Sequence, residues 1–411
     1  MKITLFLLST AAITAWAAEP TPGLPPAEIV ARVLRNSPAV QAAASQIRVE
    51  ESNRSRLEAG PHEWNLRLGG QQRRYQPASG AEAQFNEWNA AIERPLRLPG
   101  KSALDAELGA SGVSLASTAY GDALHEASRN LLKAWFVWRR EQAAASQWTT
   151  QVTLLEQQAS AVSRRQQLGD AARLESVQAA AALAQARAQL AQAQVREQTA
   201  SEDLRRRYPG LPLQAPSEID IAPPLSGTAA EWIDAIIAHS HELGLAQGEA
   251  QRARLFAGRA GNDRLPDPTI GLHVARERAG EDRIIGAYVS IPLSGSARRA
   301  NAEAALAQSE VASQREAAVQ QKITTEAATL YQTATAAYAM GQAAQAAAEH
   351  LSEAATMTAR AYQLGEGSLN DLLAARRLAN EAQLNSRLQQ LEAQELRYRL
   401  MLDAHRLWDL D

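Results

Sequence analysis

The chain of 411 residues contains no cysteine. Disulfides are excluded, and so is an N-terminal lipid anchor, which needs a cysteine to carry it. Aromatic residues amount to 5%, too little bulk for thick globular cores. Alanine and glutamine dominate the helical runs instead, and small apolar residues with polar neighbours suit close helix–helix seams. A basic excess is also missing. The net charge is −3, and the arginines are scattered as solvated helix faces, which argues against a nucleic-acid partner. Long apolar runs are absent after the first residues. Met1-Lys2, the apolar stretch Ile3 to Ala15 and the small-x-small site Ala15-Trp16-Ala17 fit a cleaved signal peptide over 1–17, with the mature chain starting near Ala18. That stretch is too short to span a bilayer. If the protein lives in a membrane, it does so through strands.

Proline is missing from two long stretches. All seventeen prolines lie before residue 100 or between 209 and 292, leaving 100–208 and 293–411 free of them. Uninterrupted helices require this. Each stretch is broken once, at Leu168-Gly169-Asp170 and at Leu364-Gly365-Glu366-Gly367, where glycine tolerates the left-handed backbone that ends a helix. Each is therefore expected to be a helical hairpin whose long arm spans on the order of 100 Å. Leu384, Leu388, Leu391, Leu396 and Leu400 keep helical spacing, and Leu183 and Leu190 stand a heptad apart.

What is present is said twice, about 196 residues apart. Arg164, Gln167, Leu168, Gly169 and Asp170 are matched by Arg360, Gln363, Leu364, Gly365 and Glu366. A fixed-period duplication decides the architecture before any single residue does. Before each hairpin lie two segments of period-two alternation. Trp64, Leu66 and Leu68, then Trp88, Ala90 and Ile92, are answered by Ile270, Leu272 and Val274, then Ala287, Val289 and Ile291. Segments of about 10 residues with one apolar face suit tilted membrane strands. A shorter helix is expected before each strand pair, at about 27–59 and 228–259, with Asn36-Ser37-Pro38 and His239-Ser240-His241 at matching places.

The plan reads as a signal peptide over 1–17, a first repeat over 18–208, a Pro-rich linker over 209–226 and a second repeat over 227–411. The first repeat is expected to hold strands at about 62–75 and 85–96 and long helices at about 100–167 and 171–207. The second holds strands at about 268–277 and 283–293 and helices at about 296–363 and 368–408. The fold class is mainly α with a small β part. Four strands cannot close a barrel, and an open edge does not survive in lipid, so identical chains must pool them.

This duplicated plan, with Arg-x-x-x-Leu-Gly and an acidic residue at each turn, resembles the TolC-like outer-membrane efflux proteins over essentially the whole mature chain. Within that family, Glu93-Arg94-Pro95-Leu96-Arg97-Leu98-Pro99-Gly100-Lys101 and Pro266-Asp267-Pro268-Thr269-Ile270-Gly271-Leu272 resemble the heavy-metal (cobalt-zinc-cadmium type) branch. The resemblance implies a homotrimer: a twelve-stranded outer-membrane β-barrel continued by a periplasmic α-helical barrel. It implies a passive exit duct for an inner-membrane pump, of the resistance-nodulation-division type, joined through a periplasmic adaptor (membrane-fusion) protein. Outer-membrane lipid surrounds such a barrel. The adaptor would dock at the turns, on Arg164, Leu168, Gly169, Asp170, Leu364, Gly365 and Ser368. Arg360, Tyr362 and Asp371 match the family's closed tip, with Glu366 and Glu175 adding to a ring of negative charge. Gly367 and Ala374 depart from relatives that carry an arginine and a second aspartate there. Read without the family, Tyr362 is a helix-end packing residue and Asp371 a charge favoured by the helix dipole.

No catalytic constellation, metal site or cofactor site is expected. The seven histidines are dispersed, and His239 and His241, two apart, do not share a helix face. Four methionines make no soft-metal relay. Two other functions fit parts of the pattern: a soluble periplasmic coiled-coil adaptor or structural protein, and an outer-membrane duct for protein secretion.

Overall fold

The computed structural model describes residues 21–76, 78–214, 223–408 and 410. The signal segment 1–17 and the middle of the Pro-rich linker lie outside the described residues. Helices α1 (Ala27–Arg35) and α2 (Pro38–Ala59) come first, followed by strands β1 (Asn65–Tyr75) and β2 (Ala83–Pro95). A hairpin of α3 (Lys101–Gln167) and α4 (Arg173–Arg207) comes next. The order then repeats as α5 (Ala229–Ala238), α6 (His241–Asn262), β3 (Thr269–Glu277), β4 (Asp282–Ser290), α7 (Ser296–Gln363) and α8 (Leu369–Asp403). Among the described residues no helix is long and apolar enough to cross a membrane.

The stretches 27–59 and 228–259, each expected as one helix, are helix pairs. The breaks fall at the matching serines. Pro38 takes the first position of α2 behind Ser37, where its missing N–H costs nothing. Ser240 caps α6 by accepting from the Leu243 amide, at 3.2 Å. Ser240 thus starts its helix with a side-chain cap, whereas Ser37 makes no such bond and the break there rests on Pro38.

The chain forms two compact units, and neither is one sequence repeat. One takes in Leu131–Ser226 and Thr333–Asp409 with the chain up to Val33; the other takes in Leu34–Asn130 and Gly227–Gln332. Each draws on both repeats, because long helices from the two copies pack side by side.

The second of these units holds the sheet, antiparallel throughout in the order β1-β2-β3-β4. Its register aligns the apolar residues into rows. Leu66 faces Ile92, Ile92 faces Leu272 and Leu272 faces Ala287; one step along, Leu68, Ala90, Val274 and Ile285 form the next row. This face is bare: Leu68 is 72% exposed and Ile285 85%. The opposite face carries the ion pairs. Arg73 donates to Glu87 at 3.1 Å and Glu277 at 2.7 Å, and Arg67 to Glu93 at 2.9 Å. The Tyr288 hydroxyl donates to Glu93 at 2.5 Å. A sheet in a water-soluble protein is built the other way round, with the apolar face covered and the charges outward.

Where strands meet helices, an ionic cluster joins the two motifs Glu93–Lys101 and Pro266–Leu272. Lys101, only 2% exposed, reaches Asp267 at 2.9 Å, Asp263 at 3.1 Å and the Leu265 carbonyl at 2.7 Å. Asp267 also accepts from the Leu98 amide at 3.0 Å and lies 3.3 Å from His62 Nε2. Arg259 bridges Asp105 and Asp263. All three donors of the ammonium are used, so the buried charge is compensated.

The other unit buries bulky side chains, with Leu131, Leu132, Trp135, Phe136 and Leu204 at 0–1% exposure, so the few aromatics do build a core here. Along its hairpins runs a seam of small side chains. Ala179, Ala186 and Ala193 of α4 are buried at seven-residue spacing, and in α7 so are Ala334, Gly341, Ala348 and Ala355. A seven-residue repeat keeps the same face turned to its neighbour through a left-handed supercoil. Leu183 and Leu190 flank the alanine row, while Leu391 and Leu400 are buried fully. A polar rung crosses between hairpins. Gln147 donates to Asn380 at 3.0 Å and Gln383 at 2.9 Å, and Gln383 donates to Ser352 at 2.8 Å. Such a rung fixes register where uniform alanine cannot.

The cluster at Lys101 generates a prediction. Burial pushes the Asp263 and Asp267 carboxyls up, but their hydrogen bonds, from Arg259 and Lys101 to Asp263 and from Lys101, Leu98 and His62 to Asp267, outweigh it and hold both below the usual range. Their contribution to stability is therefore complete above the unfolded value of about 4 and is lost as pH falls through the lower folded value. Lys101→Met should lower stability by roughly 3 kcal/mol and move the acid transition to higher pH. Urea unfolding followed by circular dichroism across that pH range measures both; an unchanged acid midpoint would contradict the account.

Candidate functional site: the hairpin turns

Both hairpins turn by the same backbone device. The Gly169 amide donates to the Gln166 carbonyl and the Asp170 amide to the Arg165 carbonyl, at 3.1 and 2.8 Å. In the second copy Gly365 donates to Tyr362 and Glu366 to Ala361, at 3.2 and 2.9 Å. This paired closure needs a left-handed residue at the glycine, and φ is 84° at Gly169 and 81° at Gly365. Leu168 and Leu364, beside them, are 76% and 61% exposed.

The two return helices start differently. In α8 the Ser368 hydroxyl accepts from the Asp371 amide at 3.1 Å and donates to the Asp371 carboxylate at 2.6 Å. Asp371 is thereby engaged as a helix-start residue. In α4 the equivalent cap is Ala172, which has no side chain to offer. Glu175, the counterpart of Asp371, is left to reach across to the other hairpin. It accepts from the Tyr362 hydroxyl at 3.2 Å. Arg165 completes the link. Its Nη1 donates to the same hydroxyl at 2.9 Å, its Nη2 donates to the Asp170 carbonyl at 3.1 Å, and its guanidinium lies 5.4 Å from the centre of the Tyr362 ring.

Beneath this link lies a core drawn from all four helices, with Val162, Ala179, Leu369 and Leu372 buried and Ala359 and Tyr362 packed against them. Burial pushes the Tyr362 phenol up, Arg165 opposes this, and Glu175 adds to it. The hydroxyl remains a proton donor at neutral pH, as its bond to the Glu175 carboxylate requires.

With this geometry the chain can be compared with known proteins. Residues 232–402 match the family model described as outer membrane efflux protein. No curated protein matches the sequence. Among solved structures, the outer-membrane channel OprN superposes with a TM-score of 0.79 at 15% identity, over 93% of this chain and 90% of its own. The outer membrane protein VceC of Vibrio cholerae gives 0.73 at 16% identity, over 92% and 95%. The CmeC outer membrane channel of Campylobacter jejuni gives 0.72 at 14%, over 100% and 94%. The fold is that of the outer-membrane channels.

On this channel fold, the residues singled out from sequence divide into two sets. Tyr362 and Glu175 are brought together across hairpins. Arg360, Glu366 and Asp371 are exposed and stand outside that link, as do Arg164, Leu168 and Leu364. Arg165 is not among the tip residues legible in the sequence, because duplication draws attention to Arg164, its neighbour with a counterpart at Arg360. The signal that could have found it is the asymmetry itself: a tyrosine in one copy, where the other has Gln166, calls for a donor from the opposite turn.

Tyr362→Phe keeps the ring and its packing but removes the hydroxyl shared by Arg165 and Glu175. The loss is expected to be about 1–2 kcal/mol of local stability, read as faster amide exchange over 164–170 and 360–366. In a double-mutant cycle Glu175→Gln should add little once the hydroxyl is gone. Full additivity of the two substitutions would show that the link carries no coupling.

Proposed function

We propose that this protein is the outer-membrane exit duct of a tripartite efflux system, passing substrate from an inner-membrane pump and periplasmic adaptor to the outside without chemistry of its own. The observation that carries this reading is the inverted sheet, with its apolar face bare and its polar face laced by ion pairs. Lipid supports such a face and water does not. A soluble coiled-coil adaptor has no use for it.

The unpaired edges of β1 and β4 require partners in a bilayer. Identical chains pooling their strands supply them, and the resemblance to the TolC-like proteins makes the number three, a homotrimer with twelve strands. Exposed apolar residues along the helices, such as Val195, Val311, Met340 and Met357, are available for contact between copies. Export by a cleaved signal peptide over 1–17 belongs to the same proposal. The turns at Gly169 and Gly365, with Leu168 and Leu364 exposed beside them, are the surface offered to the adaptor, and the pump is of the resistance-nodulation-division type. Heavy-metal cations are the cargo suggested by the two branch-like motifs. Lys101 and Asp267 in those motifs serve the strand–helix joint, so the cargo reading rests on sequence likeness alone.

Cross-linking in detergent extracts of outer membranes should trap three-chain species. A strictly monomeric, water-soluble protein would end this reading. A Cβ added at Gly169 or Gly365 meets no neighbouring atom within 4 Å, but valine at both is strained at positive φ, by roughly 1–2 kcal/mol at each site. Efflux should fall while the protein stays in the outer membrane; normal efflux in that variant would remove the turns from docking.

Conduction tests the charge ring. Asp371, Glu175 and Glu366, repeated by symmetry around a narrow opening, favour cations, because a low-dielectric constriction focuses field lines. Arg164, Arg165 and Arg360 stand among them in sequence, so moderate selectivity is expected. Asp371→Ala should shift the reversal potential in planar-bilayer recordings toward non-selectivity. An unchanged potential would leave Asp371 as a capping residue only.

A further inference from the structure

At the foot of the sheet a groove lies between α6 and α7, enclosing about 470 Å³ and bordered by Arg254, Arg264 and Arg299. That volume is in the range of small-ligand sites. Small residues leave it open, with Gly258, Gly261 and Ala302 in the lining, and Leu306 adds an exposed aliphatic wall. Glu303 is the one acid among the residues lining it. All three arginines are exposed. Arg254 directs its donors to neutral acceptors, Gln251 and Ser313, both at 3.3 Å. Arg264 and Arg299 form no ion pair among the described residues. Guanidinium groups left without carboxylates, converging on one groove, match the oxygens of a phosphate.

The position of the groove supplies a second, independent observation. Arg264 stands in the segment joining α6 to β3, and Arg299 in the first turn of α7 after β4. In the same two junctions Leu265, Ile291 and Leu293 are 67%, 64% and 91% exposed. Arg264 and Arg299 thus stand beside exposed apolar residues in the junctions that follow the sheet, where the border lies once its bare face is in lipid.

We propose that this groove binds an anionic glycerophospholipid of the periplasmic leaflet, its phosphate held by Arg254, Arg264 and Arg299 and an acyl chain laid along Leu306 and the small residues. The inference rests on the insertion of the sheet into the outer membrane. A free phosphate would use the arginines but leave the aliphatic wall uncovered, which is why the lipid is the occupant favoured.

The test is native mass spectrometry of the full-length protein in detergent, titrated with phosphatidylglycerol and, separately, phosphatidylcholine. Wild type should retain phosphatidylglycerol preferentially. Each Arg→Gln change should weaken retention about fivefold, and Arg254→Gln, Arg264→Gln and Arg299→Gln together about a hundredfold. A control with Arg205, Arg206 and Arg207 changed to Gln matches the lost charge and should bind as wild type. Equal retention by the groove variant and wild type overturns the proposal. So does inorganic phosphate binding to the groove as tightly as the lipid. Insertion into phosphatidylcholine vesicles, read by protection of the strands from protease, is scored separately. Wild type that inserts but shows no preference for phosphatidylglycerol overturns this inference alone; wild type that fails to insert overturns the membrane reading beneath it.

Discussion

The Lys101 ammonium, held between Asp263 and Asp267, sits where two opposite packing rules meet. Above it in the chain's plan, the strands turn apolar residues outward and pair charges on the other face. Beyond it, the helices bury small apolar residues and expose charge. Few residues separate these regimes, and a segment joining them has backbone groups and charges that neither regime satisfies. The ionic cluster supplies those partners, taking up the Leu98 amide and the Leu265 carbonyl as well as the side chains. A buried ion pair adds little net stability compared with an apolar pair, but it tolerates no substitute on one side only. It therefore fixes geometry more than it adds stability.

The helical hairpins depend on a different economy of means, closeness. Alanine and glycine at seven-residue spacing allow long helices to approach with little side-chain volume between them, and each contact is weak. Length compensates. Ordering enters through sparse polar groups such as Gln147, Asn380 and Gln383, and through the turn end, where Tyr362 ties one hairpin to the other. The absence of a cap side chain at Ala172 is what releases Glu175 for that tie. Two turns closed by the same backbone bonds thus make different contacts, with Ala172 where the other has Ser368 and Tyr362 where the other has Gln166.

The channel fold was legible early because its signals are periodic. Proline-free stretches, matched glycines and period-two strands each state an element and its place, and the duplication repeats the statement. Residue roles at the turns were less legible. Asp371 and Glu175 occupy equivalent positions, yet one is engaged locally and the other reaches across. Arg165 carried no repeat signal, and its role depends on a tyrosine 197 residues away. The motifs around Lys101 and Asp267 suggested a branch of a family, whereas the contacts they make are those of a joint.

The sequence by itself determined the elements: where helices run unbroken, where they turn, which strands alternate and that no disulfide holds the protein. These follow from local chemistry, the ring of proline, the missing side chain of glycine and the pleat of a strand. Tertiary structure alone decided which equivalent residues act. It assembled the units from both repeats, drew Tyr362, Glu175 and Arg165 together, and set three arginines around one groove. Those outcomes depend on which helix lies beside which, and contacts between residues far apart in the chain leave no periodic trace in it.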